Sequence, residues 1–161
     1  MRIIKNKIKK VKELRNIARR LKRQGKTIAF TNGCFDILHT GHVEYLENAR
    51  KLADVLIVAI NSDSSVRRIK GKNRPVINLR DRMRIIAALE STDFVTSFVQ
   101  DTPLSLIKLL KPDILVKGSD WDKDKIVGRD VVQSYGGRAI TLPFLTGQSS
   151  SKIIRRIGKI F

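Results

Sequence analysis

The sequence predicts a doubly wound α/β domain on a five-stranded parallel sheet, and three observations carry the prediction. Short β-branched apolar runs recur along the chain, amphipathic stretches of helical spacing separate them, and polar segments follow the runs. A length of 161 residues is the scale of one domain with one core, and 42% apolar residues suffice to fill it.

In chain order, Thr27 to Thr31 is the first strand and Val43 to Ala53 the helix after it. Val55 to Asn61 is the second strand, followed by the basic loop Lys70 to Pro75 and a helix from Leu79 to Glu90. Phe94 to Phe98 is the third strand; Thr102–Pro103 then opens a helix to Leu110, with proline in the first turn where its missing N–H costs nothing. Ile114 to Lys117 is the fourth strand. Lys125 to Tyr135 reads as a helix stopped by Gly136–Gly137, Ala139 to Leu142 as the fifth strand, and Ser150 to Ile157 as the closing helix. Ahead of this unit, residues 1–25 form a basic segment distinct from the domain at 26–161. Apolar residues at 8, 11, 14, 17, 18 and 21 predict one amphipathic helix over Ile8 to Gln24, docked on the domain.

The formal net charge is +18, which calls for an anionic partner: nucleic acid, an acidic surface or phosphorylated small molecules. Twelve of the 33 Lys and Arg residues fall in residues 1–26, where Glu13 is the only acid. The longest apolar stretch, Val55 to Ile60, is far short of the roughly 20 residues of a spanning helix, so no membrane partner is expected. A single cysteine, Cys34, fits a reducing compartment, and the cytoplasm is the expected location.

In such sheets ligands bind beyond the carboxyl ends of the strands. After the first strand runs Asn32-Gly33-Cys34-Phe35-Asp36-Ile37-Leu38-His39-Thr40-Gly41-His42, which holds both histidines of the chain. A spacing of three puts both imidazoles on one side of a helix start, where free N–H groups bind phosphate and Gly41 permits close approach. Two imidazoles there can donate to phosphate oxygens as charge builds. No third His and no Cys at ligand spacing completes a coordination set, so no protein-held metal is expected. Cys34 reads as a small residue lining the site. Lys70, Lys72 and Arg82 are candidates for clamping the phosphates. Gly118 and Asp120 follow the fourth strand where a base or ribose would lie, and Ser149, Ser150 and Ser151 start the last helix, where hydroxyls and amides suit the β- and γ-phosphates.

Gly33 to His42 resembles the signature of the cytidylyltransferase-like nucleotidyltransferases, and Gln148 to Lys152 resembles their second signature, usually Ile-Ser-Ser/Thr-Thr-Lys. Within that superfamily the chain is most similar, over about Gly25 to Ile157, to the adenylyltransferases that make ADP-heptose from D-glycero-β-D-manno-heptose 1-phosphate, a step toward the lipopolysaccharide inner core. Thr31-Asn32-Gly33, Asn61-Ser62-Asp63, Gly71 through Pro75, Asp101-Thr102-Pro103, Lys111-Pro112-Asp113 and Leu115 through Gly118 share in that likeness. Gln148 departs from the second signature. Phe144 stands where glycerol-3-phosphate cytidylyltransferases carry an arginine, which weighs against CTP and glycerol phosphate.

The resemblance implies a Rossmann-like fold, ATP with Mg²⁺, and His39, His42 and a lysine of the basic loop, Lys72 foremost, acting on the phosphates. Asn32, Gly33, Cys34, Phe35, Gly41, Gly118, Asp120 and the three serines are expected at the nucleotide, and Asp36, Lys70 and Arg82 at the acceptor. A heptose kinase on a separate chain and a homodimer are the expected protein partners. Two rivals remain at this point: a transferase for another acceptor such as glycerol phosphate or FMN, and a nucleic-acid-binding protein or aminoacyl-tRNA synthetase fragment, whose enzymes share a similar His-x-Gly-His motif.

Overall fold

In the computed structural model, which describes residues 4–119, 125–143 and 149–160, the five expected strands pair side by side and all in parallel. They are β1 (Ile28–Gly33), β2 (Val55–Asn61), β3 (Phe94–Phe98), β4 (Ile114–Gly118) and β5 (Arg138–Leu142), in the spatial order β3-β2-β1-β4-β5. The chain winds from β1 toward β3 on one side and from β4 to β5 on the other. The winding therefore reverses between β1 and β4, and the crevice at that switch point lies beyond their carboxyl ends.

Eight helices are described: α1 (Ile4–Lys7), α2 (Val11–Arg23), α3 (Thr40–Arg50), α4 (Asp63–Lys70), α5 (Leu79–Ala88), α6 (Leu104–Leu110), α7 (Arg129–Gln133) and α8 (Ser150–Ile157). They cover both sheet faces, so two apolar layers form. One gathers Phe30, Ile57 and Leu115 with Leu14 and Ala18 of α2 and Leu106, Ile107 and Leu110 of α6. The other gathers Ala29, Leu56, Val58 and Val116 with Tyr45 and Leu46 of α3 and Ile86 and Ala87 of α5. A strand covered on both faces must be apolar throughout, and six of the seven residues of β2, Val55 to Ile60, are.

Three elements differ from expectation. The N-terminal segment is two helices, because the stretch between them joins the sheet: Ile8 bridges Val95 in parallel and the Lys9 N–H donates to the Val95 carbonyl. The second helix, α2, then crosses from that edge to the start of β4, where Lys22 pairs with Asp113 at 2.9 Å. α4 lies between the second strand and the basic loop, over residues for which no element was expected, and takes in Lys70 of that loop; the Ser62 side chain caps it by accepting from Ser65 N–H, while Val66 is its only buried apolar residue, too little for visible periodicity. The helix expected from Lys125 starts only at Arg129, since Gly128 takes a left-handed φ of 91°.

Candidate active site

The signature loop leaves β1 at Gly33 and enters α3 at Thr40. Phe35 holds a left-handed φ of 47° and turns its buried ring back over Gly33. A Cβ at Gly33 would lie 2.9 Å from that ring, so only glycine fits beneath it. Phe35 in turn packs against His42, with ring centroids 5.3 Å apart. A hydrogen bond of 2.8 Å between the buried Thr31 and Tyr45 hydroxyls ties α3 to β1.

His39 and His42 stack on each other with centroids 3.9 Å apart and planes 28° from parallel. Both are half-buried. Burial lowers the pKa of each, and for His42, where the neighbouring His39 adds to the effect, the value falls to about 4. Both rings are therefore neutral at pH 7, and each carries one N–H. In both, Nδ1 is sealed from solvent without a hydrogen-bond partner. Nε2 is the nitrogen left for a ligand. His39 caps α3 with no side-chain hydrogen bond, which leaves first-turn N–H groups for an anion as well.

The start of α8 meets this loop. Ser149 accepts from Lys152 N–H at 3.1 Å as the helix cap, Ser150 Oγ donates to the Ile37 carbonyl at 2.9 Å, and Ser151 is exposed. α8 thus begins against the loop that carries the imidazole pair.

Asp36 and Arg82 stand apart from expectation. Asp36 is 2% exposed, and its carboxylate accepts from Arg74 Nε at 2.5 Å and from the N–H groups of Val76 and Ile77 at 2.8 and 3.0 Å. It pins the basic loop to the signature loop and has no face turned to an acceptor. Arg82 is fully buried; its guanidinium donates to the carbonyls of Ile77, Cys34 and Asn61 and to Asp63 Oδ1. A cation so enclosed cannot clamp a substrate phosphate. It joins three loops at the sheet's carboxyl edge.

Lys70 and Lys72 are exposed, and Lys70 lies close enough to Cys34 to pull its thiol pKa down. Burial outweighs that pull and raises the thiol, which keeps Cys34 protonated and poor as a nucleophile. Gly118 ends β4 beside the crevice and Gly41 is buried in the first turn of α3. Asp120, Phe144 and Gln148 lie outside the described residues. One crevice residue was not among the expected site residues. Lys117 is buried at the end of β4 and donates to Asn32 Oδ1 at the end of β1; its position in the last turn of a strand, before Gly118, was the available signal.

Among the described residues no group of three His, Cys, Asp or Glu could hold a metal ion, and no helix is long and apolar enough to cross a membrane. A switch-point crevice rimmed by helix N-termini, neutral imidazoles and lysines is the arrangement of a nucleotidyltransferase. The cytidylyltransferase-like family matches residues 30–156, and the chain belongs to that family. It is 50% identical over 152 residues to the bifunctional protein HldE of Syntrophotalea carbinolica and 51% identical over 151 residues to that of Geobacter metallireducens, covering 94% of this chain and 31% of each relative. The chain thus spans about a third of the length of these curated relatives. Among solved structures, the lipopolysaccharide core biosynthesis protein from Thermoplasma volcanium superposes with a TM-score of 0.64 at 26% identity, over 77% of this chain and all of the other. The pantoate-beta-alanine ligase of Francisella tularensis shares the fold with a TM-score of 0.58 at 18% identity, over 95% of this chain and 77% of the other.

Proposed function

We propose that the chain transfers AMP from ATP to D-glycero-β-D-manno-heptose 1-phosphate, giving ADP-heptose and pyrophosphate. The observation that carries this reading is the stacked, neutral His39–His42 pair at the start of α3, with α8 beginning against the same loop. The half-identical HldE relatives and the resemblance to heptose 1-phosphate adenylyltransferases support the choice of nucleotide and acceptor.

The acceptor phosphate is largely dianionic at neutral pH, since the second pKa of a phosphate monoester is about 6, and it needs no general base. One of its oxygens attacks the α-phosphorus in line, the new O–P bond forms as the bond to the bridging β-phosphate oxygen breaks, and pyrophosphate departs with the electron pair. The chain's task is to position both anions and stabilise the charge that develops. In this reading Nε2–H of His39 and His42 donates to α-phosphate oxygens and the departing group. Lys72 and Lys70 approach the phosphates from the basic loop, and the α8 serines and amides hold the β- and γ-phosphates. Asn32, Gly33, Cys34 and Phe35 line the nucleotide, with Gly118 at its base and ribose. Magnesium enters with the nucleotide as part of the substrate, held by phosphate oxygens and water. The single carboxylate of the signature loop, Asp36, is occupied by Arg74, Val76 and Ile77. A sugar kinase must supply the acceptor.

A panel of nucleoside triphosphates against sugar 1-phosphates, glycerol 3-phosphate and FMN, read by pyrophosphate release, tests the reading. Release is expected with ATP and the heptose 1-phosphate. Turnover confined to CTP, or to an acceptor other than a sugar 1-phosphate, would overturn it.

A further inference from the structure

The switch point is flanked by the last residues of β1 and β4, and two of them are bonded to each other. The register that pairs Ala29 with Ile114 and Phe30 with Leu115 sets Asn32 opposite Lys117 when extended by two residues. Lys117, 7% exposed, donates from Nζ to Asn32 Oδ1. An ammonium can only donate, and an amide offers an acceptor on one side and two donors on the other. Contact with Lys117 therefore fixes which way the amide faces: oxygen toward the lysine, NH₂ away from it. Asn32 is half-buried, and its Nδ2 has no hydrogen-bond partner among the described residues. The opposite flip would set a carbonyl oxygen against whatever anion occupies the crevice.

We propose that Lys117 is a positioning residue of the transfer, which locks the Asn32 amide so that its Nδ2 donates to a phosphate oxygen of the nucleotide. The inference rests on the nucleotidyl-transfer reading, but it concerns a contact which that reading does not require. Without the lysine the amide rotates, and part of the bound nucleotide meets an acceptor where it needs a donor.

The test is a double-mutant cycle of Lys117→Met and Asn32→Ala, read as kcat/KM for ATP and as ATP affinity by calorimetry, with Tm as a folding control. Lys117→Met is expected to lower kcat/KM about tenfold, the loss of roughly one hydrogen bond to a charged group, while the same change in the Asn32→Ala background costs about twofold or less. A full tenfold loss in both backgrounds would mean that Lys117 acts independently of Asn32 and would overturn the proposal. Asn32→Asp is a second probe that leaves Lys117 in place. It keeps a partner for the lysine but removes the donor, so it is expected to lose at least as much as Asn32→Ala, and near-normal activity would contradict the proposal even if Lys117→Met does not fold. Should the protein bind ATP yet release no pyrophosphate with any acceptor, the reading of the reaction falls while the cycle on ATP affinity still decides the role of Lys117. Absence of ATP binding would overturn both.

Discussion

The switch-point crevice and helix α2 both concentrate charge, and they do so in opposite ways. On α2, Lys12, Arg15, Arg19, Arg20 and Arg23 are exposed, and Glu13 is the helix's only acid. The helix is held by its other face, where Leu14 and Ala18 enter the core, and it runs across the starting half of the sheet from Val95 to Asp113. At the crevice three ionic groups are fixed. Asp36, Arg82 and Lys117 are buried, and each is tied to a neighbouring loop or strand. A buried ion tolerates only one arrangement of its partners, whereas an exposed one is screened and free to move. The net charge of +18 therefore says little about where the chemistry lies: the cations that shape the site are the enclosed ones.

That contrast predicts a ranking of effects. Arg82→Met should be the most damaging, because it strands three carbonyls and Asp63 at once; a loss of about 3–5 kcal/mol in denaturant unfolding is expected, and a loss below about 1 kcal/mol would show the loops to be held otherwise. His39→Ala and His42→Ala should each lower kcat by about a hundredfold or more with little change in Tm, as loss of a transition-state donor does; near-normal turnover in either would remove that role. A smaller effect concerns pH. The folded chain keeps His42 neutral down to about pH 4, while the unfolded chain takes up its proton near 6.5, so stability is lost as pH falls through that window. His42→Ala should show a shallower fall in Tm between pH 6.5 and 4, and an unchanged slope would contradict the burial of that ring. The smallest effect belongs to α2. Changing Arg15, Arg19 and Arg23 to Gln together should alter kcat less than about twofold and stability by about 0.5 kcal/mol or less, as exposed charges do; a tenfold fall in kcat would erase the distinction between the two regions.

The sheet was legible in the sequence because its strands are short apolar runs bounded by turns, so Val55 to Asn61 and Phe94 to Phe98 could be read to the residue. The signature loop was legible because His39, Gly41 and His42 are residue types with few other reasons to recur at that spacing. The roles of its neighbours were not. Asp36 and Arg82 carry the side chains of a binding site, and nothing local distinguishes a charge that faces a ligand from one consumed by backbone 40 or 48 positions away. Lys117 was hidden for the same reason, since its partner Asn32 is 85 residues distant and meets it only through the β1–β4 register. The strand order that makes their meeting place a crevice is a property of the whole winding.

The most direct measurement is a ³¹P NMR time course of the purified chain with ATP, Mg²⁺ and the heptose 1-phosphate, run beside His42→Ala. The account predicts that the acceptor and ATP resonances decay together into a sugar-linked diphosphate and an equal amount of pyrophosphate, and that the variant shows almost none over the same interval. ATP decaying to ADP and inorganic phosphate, or equal product from the variant, would contradict it.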